Sequence, residues 1–426
     1  MKKPIRKVCI VGAGVLGLST AYYLKKLFPE ENYLIDIIEA SDSVGGLAKV
    51  FELSNGEKIE SYYHHIFQSD KYFIDLSDEL GLSYLLTFKK VSIGHYINGN
   101  LFNLSTPLEI LKGDLLSPFN RIRFLMAAAY LKIGFNKYLN GIDALSGSRN
   151  LFGKEISKKI WMPLLKGKFK NKYKLVPFSW LAARIRDRTL KLGIMENSFD
   201  TFYKSLTEKC LKLGVNFKFK TPLENIEIFE KIIKVNDHKY DLCLSTIGPI
   251  KEKEILPNFQ YPRFEYLGAI CVIFELDFNL NIPYWINYCE DKSPVLAVIN
   301  HRKLDKSKRF KDIYPIYTAS YIDNDSELLK LNDTNIINIF FKSLKDVSKA
   351  NGQSDNFNYK SAKVFRTKYA QPLINPSIGL NQLTSTGNRL FRASMHSIYP
   401  NDRGQNYSIK IGYLMAKKIS NFFSQQ

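Results

Sequence analysis

Residues 7–24, KVCIVGAGVLGLSTAYYL, decide the fold of this chain. The apolar run at residues 8–11 is typical of a buried parallel strand. Gly12, Gly14 and Gly17 follow in G-x-G-x-x-G spacing, and residues 18–27 have the pattern of a helix. In such a turn the first glycine allows a tight bend, the second lets the backbone approach a pyrophosphate, and the third lets the helix pack on the strand. The phosphates would lie on the helix N-terminus, where the dipole favours negative charge.

A second strand is predicted over residues 33–38, and Glu39 follows it, 22 residues beyond Gly17. A carboxylate near this offset binds ribose hydroxyls in dinucleotide-binding folds. The alternative is that Glu39 has no binding role and is simply a solvent-exposed residue at the end of the strand. The order of strand, glycines, helix, strand and acid predicts a Rossmann-like nucleotide-binding unit. We expect its nucleotide contacts from Gly12, Ala13, Gly14, Val15, Leu16, Gly17, Glu39 and Ala40.

Composition limits the classes of protein and partner. The 426 residues can bury a large core and favour two domains. The net charge of +20 suggests an anionic partner, which could be a nucleotide, a phospholipid surface or nucleic acid. The five cysteines are scattered without a C-x-x-C pair, which argues against disulfides and zinc and favours a reducing, cytoplasmic compartment. No stretch approaches the roughly 18 uninterrupted apolar residues of a membrane span.

The stretch after Glu39, residues 40–48, is ASDSVGGLA. Its glycine pair resembles the second nucleotide motif of the flavoprotein superfamily that includes amine oxidases, protoporphyrinogen oxidase, phytoene desaturase and UDP-galactopyranose mutase. The resemblance implies FAD rather than NAD as the cofactor, with Gly45, Gly46 and Leu47 beside the FAD phosphates and ribityl chain. The superfamily often has an arginine two residues before the pair; here that position is Ser43, so one phosphate contact is missing or comes from elsewhere.

Two later stretches resemble the same superfamily. Residues 213–241 look like its β-meander, which implies that the backbone near Leu223 contacts adenine, and the strand at residues 241–247 brings Thr246 to the nucleotide. Residues 399–412, YPNDRGQNYSIKIG, resemble its C-terminal FAD segment. Asp402, Arg403, Gly404 and Asn406 would then close over the flavin, and a helix N-terminus aimed at the flavin would stabilise negative charge on it.

The expected fold class is α/β (α+β overall): a Rossmann-like FAD/NAD(P)-binding domain with an inserted substrate domain of mixed sheet and helices. The FAD-binding domain is predicted to be discontinuous and to comprise residues 1–90, 200–260 and 385–426. The substrate-binding domain is assigned to residues 91–199 and 261–384, with residues 105–190 forming a helical, basic part that could face a membrane.

Two of the six histidines, His64 and His65, lie side by side among aromatic residues. They are the candidate catalytic residues, because the resemblance leads this segment towards the flavin ring and histidine moves protons near neutral pH. If the segment is a strand, only one of the two can face a given cavity. The alternative is a histidine that merely orders the turn. No metal site is expected, because no known ligand spacing occurs.

Residues 117–138 are predicted to form a helix that is apolar on nearly all of its faces.

Residues 154–188 carry eleven Lys/Arg and two acids, a charge of +9, interleaved with aromatic side chains. Three interpretations remain open: a solvated basic surface over buried aromatics, a face that contacts an anionic membrane, or a pocket for a phosphorylated or nucleotide-sugar substrate. Nucleic acid is disfavoured because no recognised binding module accompanies the charge.

Three functional hypotheses follow. The first is an FAD-dependent oxidoreductase of the amine oxidase/protoporphyrinogen oxidase-like superfamily, acting on an apolar, polyprenyl-linked or glycan-linked small molecule. The alternative is a non-redox flavoenzyme like UDP-galactopyranose mutase, acting on a nucleotide sugar. The third is a non-catalytic membrane-associated protein that keeps FAD as a structural group. The expected location is the cytoplasm, with peripheral attachment to the inner face of the cell membrane as an open extension. The oligomeric state is not predicted.

Overall fold

The computed structural model describes residues 4–134, 141–189, 191–258, 265–291, 293–373, 384–401 and 404–425, and of residues 384–387 only the backbone. It has helices and strands throughout, with one largely parallel sheet and one larger mixed sheet. This is the α/β arrangement, α+β overall, that the sequence predicts.

The parallel sheet has the strand order β10-β2-β1-β14-β21-β20, and only β20 runs antiparallel to its neighbour. Its strands are β1 (Arg6–Val11), β2 (Tyr33–Ile38), β10 (Val215–Lys218), β14 (Leu242–Ser245), β20 (Thr384–Gly387) and β21 (Leu390–Ala393). They come from separate parts of the chain, in line with a discontinuous nucleotide-binding domain, although the domain boundaries themselves stay a prediction.

Helices cover one face of this sheet. They are α1 (Val15–Leu27), α2 (Lys71–Glu79), α9 (Asp200–Lys212) and α12 (Gln405–Ser424), and their apolar side chains share one core with β1 and β2. The other face packs on the predicted meander, which is a three-stranded antiparallel sheet of β11 (Ile226–Ile228), β12 (Ile233–Val235) and β13 (His238–Tyr240). Helix α10 (Pro249–Ile255) follows β14. Burial of both faces explains why β1 is a continuous apolar run rather than an alternating one.

The mixed sheet has the order β19-β15-β18-β17-β16-β7-β8. Its strands are β7 (Ile93–Ile97), β8 (Asn100–Asn103), β15 (Glu265–Leu276), β16 (Trp285–Tyr288), β17 (Ala297–Asn300), β18 (Tyr314–Ile322) and β19 (Ser361–Leu373), and α11 (Asp333–Ala350) packs on it. The hairpin β7–β8 turns at Asn98 and Gly99, which both have positive φ, as an Asn-Gly turn requires. Two small sheets complete the strands: β3 (Val50–Glu52) with β4 (Lys58–Glu60), and β5 (Ile66–Phe67), β6 (Leu86–Lys90) and β9 (Lys191–Met195).

Residues 107–134 and 141–187 form a helical layer. It contains α3 (Pro107–Lys112), α4 (Pro118–Ile133), α5 (Ala144–Phe152), α6 (Lys154–Ile156), α7 (Met162–Phe169) and α8 (Phe178–Asp187), with a π-helical turn over residues 157–161. The helix predicted over residues 117–138 ends earlier, at Ile133, because Gly134 takes a left-handed conformation (φ +93°); residues 135–138 lie outside the described ranges. Among the described helices, none is long and apolar enough to cross a membrane.

Candidate functional site

The glycine turn after β1 has the geometry that its spacing predicts. The Gly12 N–H donates to the Ile38 carbonyl oxygen at 2.8 Å, and its φ of +103° favours glycine. A Cβ atom at Gly17 would collide with the Gly12 carbonyl oxygen, so only glycine lets α1 pack this closely. Gly14, in contrast, has an ordinary extended conformation with open space where a Cβ would point. The open side of this turn is therefore available to a ligand.

The second glycine loop lies directly against the first. The Gly45 N–H donates to the Ala13 carbonyl oxygen at 3.0 Å. Both Gly45 (φ +111°) and Gly46 (φ +57°) have positive φ, and a Cβ at Gly46 would lie 3.6 Å from the Gly14 Cα. Two glycine-containing loops that are distant in the sequence thus lie in direct contact, and Gly14, Gly45 and Gly46 line the same cavity beside the N-terminus of α1.

Glu39 lies at the carboxyl end of β2, beside the glycine turn. Its carboxylate accepts hydrogen bonds from the Ala13 N–H at 2.8 Å and from the Ser41 N–H at 2.9 Å. Leu223 is buried among apolar side chains of β1, β14 and the meander. Neither residue, nor Ala40, is among those that line the cavity described below, and their predicted contacts with ribose and adenine stay predictions.

The predicted C-terminal segment reaches the same place. Helix α12 begins at Gln405, after Gly404. The Asn406 side-chain oxygen accepts from the Phe73 N–H at 3.1 Å, and the Gln405 side-chain oxygen accepts from the Tyr203 hydroxyl at 3.0 Å. The Gln405 Nε2 is buried without a hydrogen-bond partner among the described residues. Asp402 and Arg403, which the sequence also places here, lie outside the described ranges.

One cavity of about 790 Å³ joins these segments. At one end it is lined by residues from both glycine loops, from the turn after β14 and from the start of α12: Gly14, Val15, Leu16, Gly45, Gly46, Leu47, Thr246, Gly404, Gln405 and Asn406. Two helix N-termini, those of α1 and α12, therefore border the same space, and each presents N–H groups that favour a bound anion. Three other residues of the turn do not line the cavity and instead determine the backbone conformation of the turn: Gly12, Ala13 and Gly17.

His64 and His65 both line this cavity, which corrects the expectation that only one of them could. Strand alternation does not apply, because residues 61–65 form an irregular segment between β4 and β5. His64 Nδ1 lies 2.6 Å from the Tyr62 carbonyl oxygen, so Nδ1 must carry the proton that it donates there. His65 Nδ1 lies 3.2 Å from the Tyr284 hydroxyl.

A third histidine on the lining, His95 of β7, was not singled out from the sequence. The Trp285 indole N–H donates to the Asn287 side-chain oxygen at 2.9 Å, and the Asn287 amide nitrogen lies 3.2 Å from His95 Nε2. An indole can only donate, so the Asn287 oxygen accepts and its NH₂ group donates to His95 Nε2. His95 is therefore the Nδ1–H tautomer. That Nδ1 is buried and has no hydrogen-bond partner among the described residues.

Burial, with the nearby charge of Arg188, lowers the pKa of His95 to about 4. The imidazole is consequently neutral at physiological pH, as its place in the hydrogen-bond chain requires. The sequence around His95 gives no signal for this role, because its partners Trp285 and Asn287 lie about 190 residues away, on a neighbouring strand.

The far wall of the cavity comes from the helical layer and is both aromatic and cationic. Lys168 is buried, with its Nζ 4.7 Å from the centre of the Trp180 ring, and the Arg184 guanidinium lies 5.5 Å from the same ring. Lys132 and Arg188 also line the cavity, while its two acids, Asp70 and Asp187, accept hydrogen bonds from Phe67 N–H and the Tyr407 hydroxyl. Part of the basic middle of the sequence is thus a cavity wall, not a solvated surface.

No group of three or more His, Cys, Asp or Glu side chains that could hold a metal ion occurs in the described part of the chain. The five cysteines are all free thiols.

Comparisons with known proteins agree with this geometry. A profile of NAD(P)-binding Rossmann-like domains matches residues 10–80. Coproporphyrinogen III oxidase of Staphylococcus aureus is 24% identical over 331 residues, which are 62% of this chain and 65%, just under two thirds, of that protein.

Three solved structures resemble the chain over nearly its full length. Cyclohexylamine oxidase from Brevibacterium oxydans has a TM-score of 0.76 at 13% identity, covering 99% of this chain and 100% of that one. A protein from an Exiguobacterium species, provisionally described as a protoporphyrinogen oxidase, has 0.75 at 16%, covering 97% and 98%. Reduced UDP-galactopyranose mutase has 0.74 at 16%, covering 98% and 96%.

The chain has the fold of the amine oxidase and protoporphyrinogen oxidase-like flavoproteins. The resemblance that the nucleotide motifs indicated is therefore confirmed at the level of the fold. The two glycine loops and the cationic wall border one continuous cavity.

Proposed function

We propose that this protein is an FAD-dependent oxidoreductase whose single cavity holds the cofactor beside a small-molecule substrate. One observation carries the proposal: the same cavity touches both glycine loops and two helix N-termini at one end, and an aromatic, cationic wall at the other. A nucleotide-binding unit alone would need only the first end. The second end provides room for a reactant.

The described residues fit FAD. The open side of Gly14 and the positive-φ pair Gly45 and Gly46 leave a gap that side chains would fill. The N–H groups at the starts of α1 and α12 suit a pyrophosphate and a flavin acceptor atom. Gln405 lines the cavity, and its Nε2 is a buried donor with no hydrogen-bond partner among the described residues. An unsatisfied buried donor destabilises the folded protein, so an acceptor atom of a bound ligand would relieve this cost.

FAD, when bound, would supply the redox chemistry by accepting a hydride or an electron pair from the substrate. The protein contributes orientation and proton transfer. Because His64 Nδ1 donates to the Tyr62 carbonyl, its Nε2 is the ring atom that can accept or return a proton at the cavity. His65, oriented by the Tyr284 hydroxyl, is the second candidate.

We infer a class of substrate from the polar and apolar groups of the lining. His95 Nδ1 and the Trp161 indole N–H are buried donors on the cavity that have no hydrogen-bond partners among the described residues. Lys168 and Arg184 add positive charge, while Leu164, Leu165 and Phe169 are apolar. The complement is a molecule with an apolar body and an anionic or acceptor-rich group. Such a description includes carboxylated ring compounds and phosphorylated polyprenyl or glycan carriers.

Anaerobic titration of the FAD-loaded protein tests this proposal. Apolar compounds with a carboxylate or phosphate should bleach the visible flavin absorption, and an electron acceptor should restore it. Matched amides or alcohols that lack the anion should bleach it at least about tenfold less efficiently, because they lose the interaction of the anion with the His95 donor and the positive charges of Lys168 and Arg184. A stably bound flavin that no compound of either set bleaches would contradict the oxidoreductase proposal and favour a structural flavin.

A second candidate, a non-redox flavoenzyme acting on a nucleotide sugar, is favoured by the cationic wall, which would suit a diphosphate. The discriminating experiment incubates the protein with UDP-galactopyranose after chemical reduction of its flavin. Ring contraction without net flavin oxidation, and only in the reduced protein, would establish this alternative over the oxidoreductase.

A further inference from the structure

Helix α4 exposes its apolar side chains instead of burying them. Phe119, Ile122, Met126, Tyr130 and Ile133 follow one another at spacings of three and four residues and are all exposed, Phe119 and Ile133 by 74% and 73%. This spacing places them on one face of the helix. The opposite face is already occupied, because Ala127 and Leu131 are buried and Phe124 and Ala128 line the cavity.

Helix α3 extends the exposed face. Its Leu108 and Leu111 are exposed, and Arg121 of α4 ties the two helices together by donating to the Leu111 and Leu116 carbonyl oxygens at 2.9 and 2.8 Å. Of the 17 large apolar side chains that are exposed in the described part of the chain, seven lie between Leu108 and Ile133. We call these seven the α3–α4 face. A contiguous apolar patch of this kind marks an interaction surface.

Charge around the face has one dominant sign. Helix α4 contains no acidic residue. Glu109 of α3 is engaged by the Ser105 and Thr106 N–H groups, and Glu155 is engaged by Ser117 and paired with Lys159 at 3.0 Å. Exposed Lys112, Lys154 and Lys158 border the same helices, against one exposed acid in the α3–α4 connection, Asp114.

We propose that the α3–α4 face docks on an anionic phospholipid surface, with α4 lying in the plane of the interface. An exposed row of Phe, Ile, Met and Tyr flanked by lysines is what interfacial binding requires. With 16 residues α4 is about 24 Å long, shorter than the hydrocarbon core, so it lies on the bilayer rather than across it. A second copy of the chain fits less well, because two copies would each bring a charge of +20 to the contact.

The position of α4 connects this surface to the cavity. The outer face of the helix carries the docking side chains and its inner face carries Phe124, Ala128 and Lys132 of the lining. Only α4 would therefore separate the bilayer surface from the cavity, so a substrate with an apolar body would need to travel about one helix diameter between them. This placement gives a physical reason for peripheral attachment to the inner face of the cell membrane, the location that the sequence left open.

Vesicle co-sedimentation of the full chain tests the proposal. Vesicles of phosphatidylcholine with one third phosphatidylglycerol should sediment the protein at low salt, and pure phosphatidylcholine vesicles or high salt should release most of it. The triple variant Phe119→Ser, Ile122→Ser, Met126→Ser should lose at least about tenfold in vesicle partitioning, because three anchors are removed. None of these residues lines the cavity, so flavin content should not change.

The matched control changes three exposed apolar residues elsewhere, Tyr84→Ser, Leu211→Ser and Phe229→Ser, and should partition like the unmodified protein. Amide hydrogen exchange should show protection of residues 118–133 on addition of anionic vesicles. Equal loss in both triple variants, or no sedimentation with anionic vesicles, would overturn the proposal. A concentration-dependent dimer that the first triple variant abolishes, without vesicle binding, would overturn it in favour of self-association.

Discussion

The direction of the hydrogen bonds at His95 follows from a neighbour that can only donate. Trp285 donates to Asn287, Asn287 donates to His95 Nε2, and the imidazole proton is left on Nδ1. The ring is neutral because burial lowers its pKa to about 4. A neutral donor of fixed direction selects for acceptor atoms and does not change its charge across the physiological pH range.

Replacing Asn287 with Asp should reverse this direction. A carboxylate accepts from both neighbours, so His95 must then donate through Nε2, and the added negative charge should raise its pKa. Nitrogen-15 NMR of the histidine ring should report Nδ1–H in the unmodified protein and a shift to Nε2–H or to the imidazolium in the variant. His95→Gln should raise KM for an anionic substrate by about tenfold with a smaller effect on kcat. An Nε2–H signal in the unmodified protein would contradict the assignment.

Glu60 supports the segment that carries His64 and His65. It lies at the end of β4, its carboxylate accepts from the Phe199 N–H at 2.8 Å, and its backbone oxygen accepts from the Tyr317 hydroxyl. Burial raises the pKa of Glu60 to about 7, although the hydrogen bond from Phe199 opposes this shift. The carboxyl group is therefore protonated in the folded protein at mildly acid pH.

A raised folded-state pKa makes the protein lose stability as pH rises from the unfolded value towards 7. Below pH 4.5 both states bind the proton; above it the unfolded state releases the proton first. Glu60→Gln should remove this dependence and be more stable than the unmodified protein at pH 8 by about 3 kcal/mol, with little difference at pH 4. Urea unfolding at both pH values measures this. Exposed Glu52→Gln is the control, and an equal gain at pH 4 and pH 8 would contradict the account.

Helices α1 and α12 bring the two ends of the chain to one site. They pack so closely that a Cβ at Gly412 would collide with the Ser19 hydroxyl and lie 3.0 Å from the Leu16 carbonyl oxygen. Because both helix N-termini border the cavity, the distance between the two helices sets the width of the cavity there. Gly412 is thus a packing glycine, and its close contact with α1 also fixes the distance between the two N-termini that border the cavity.

Gly412→Ala should lower the free energy of unfolding by about 1–3 kcal/mol, the usual cost of overpacking. It should also weaken FAD binding, because the two N-termini move apart. Adding Ser19→Gly removes one of the two colliding groups and should restore part of both losses. The measurements are urea unfolding and FAD titration on the two single variants and the double variant. Full stability of Gly412→Ala would contradict the close packing of these helices.

Local patterns predicted the elements that build the nucleotide-binding unit. The strand β1, the glycine turn after it and the start of α12 depend on short-range chemistry that the residues themselves carry. Two expectations failed for local reasons. Gly134 ends α4 before the predicted boundary, and the irregular backbone at residues 61–65 lets both histidines reach the cavity.

The features that the sequence did not predict depend on contacts between residues that are far apart in the chain. His95 acquires its role from Trp285 and Asn287, which reach it only through the pairing of β16 with β7. Lys168 and Arg184 join the cavity because α7 and α8 fold over the mixed sheet. The charge pattern of a basic segment does not reveal whether the segment forms a cavity wall or a solvent-exposed surface, since the pattern is the same in both cases. In the structure, part of residues 154–188 lines the cavity and part lies on the surface.

The molecule combines three surfaces around one cavity: a nucleotide end, a cationic wall and an external apolar face on α4. The cationic wall and the lysines beside the α4 face account for part of the net charge of +20. The proposed redox function requires a flavin at the end of the cavity that the two glycine loops border.

FAD titration of the purified full chain, with a matched glycine variant, tests this claim most directly. Gly14 has an extended backbone and open space around its missing side chain, so Gly14→Leu should fold normally and fill the gap. We predict one FAD per chain for the unmodified protein, and binding at least about a hundredfold weaker for Gly14→Leu with unchanged thermal unfolding of the FAD-free protein. Equal FAD binding by both proteins, or none by the unmodified one, would contradict the account.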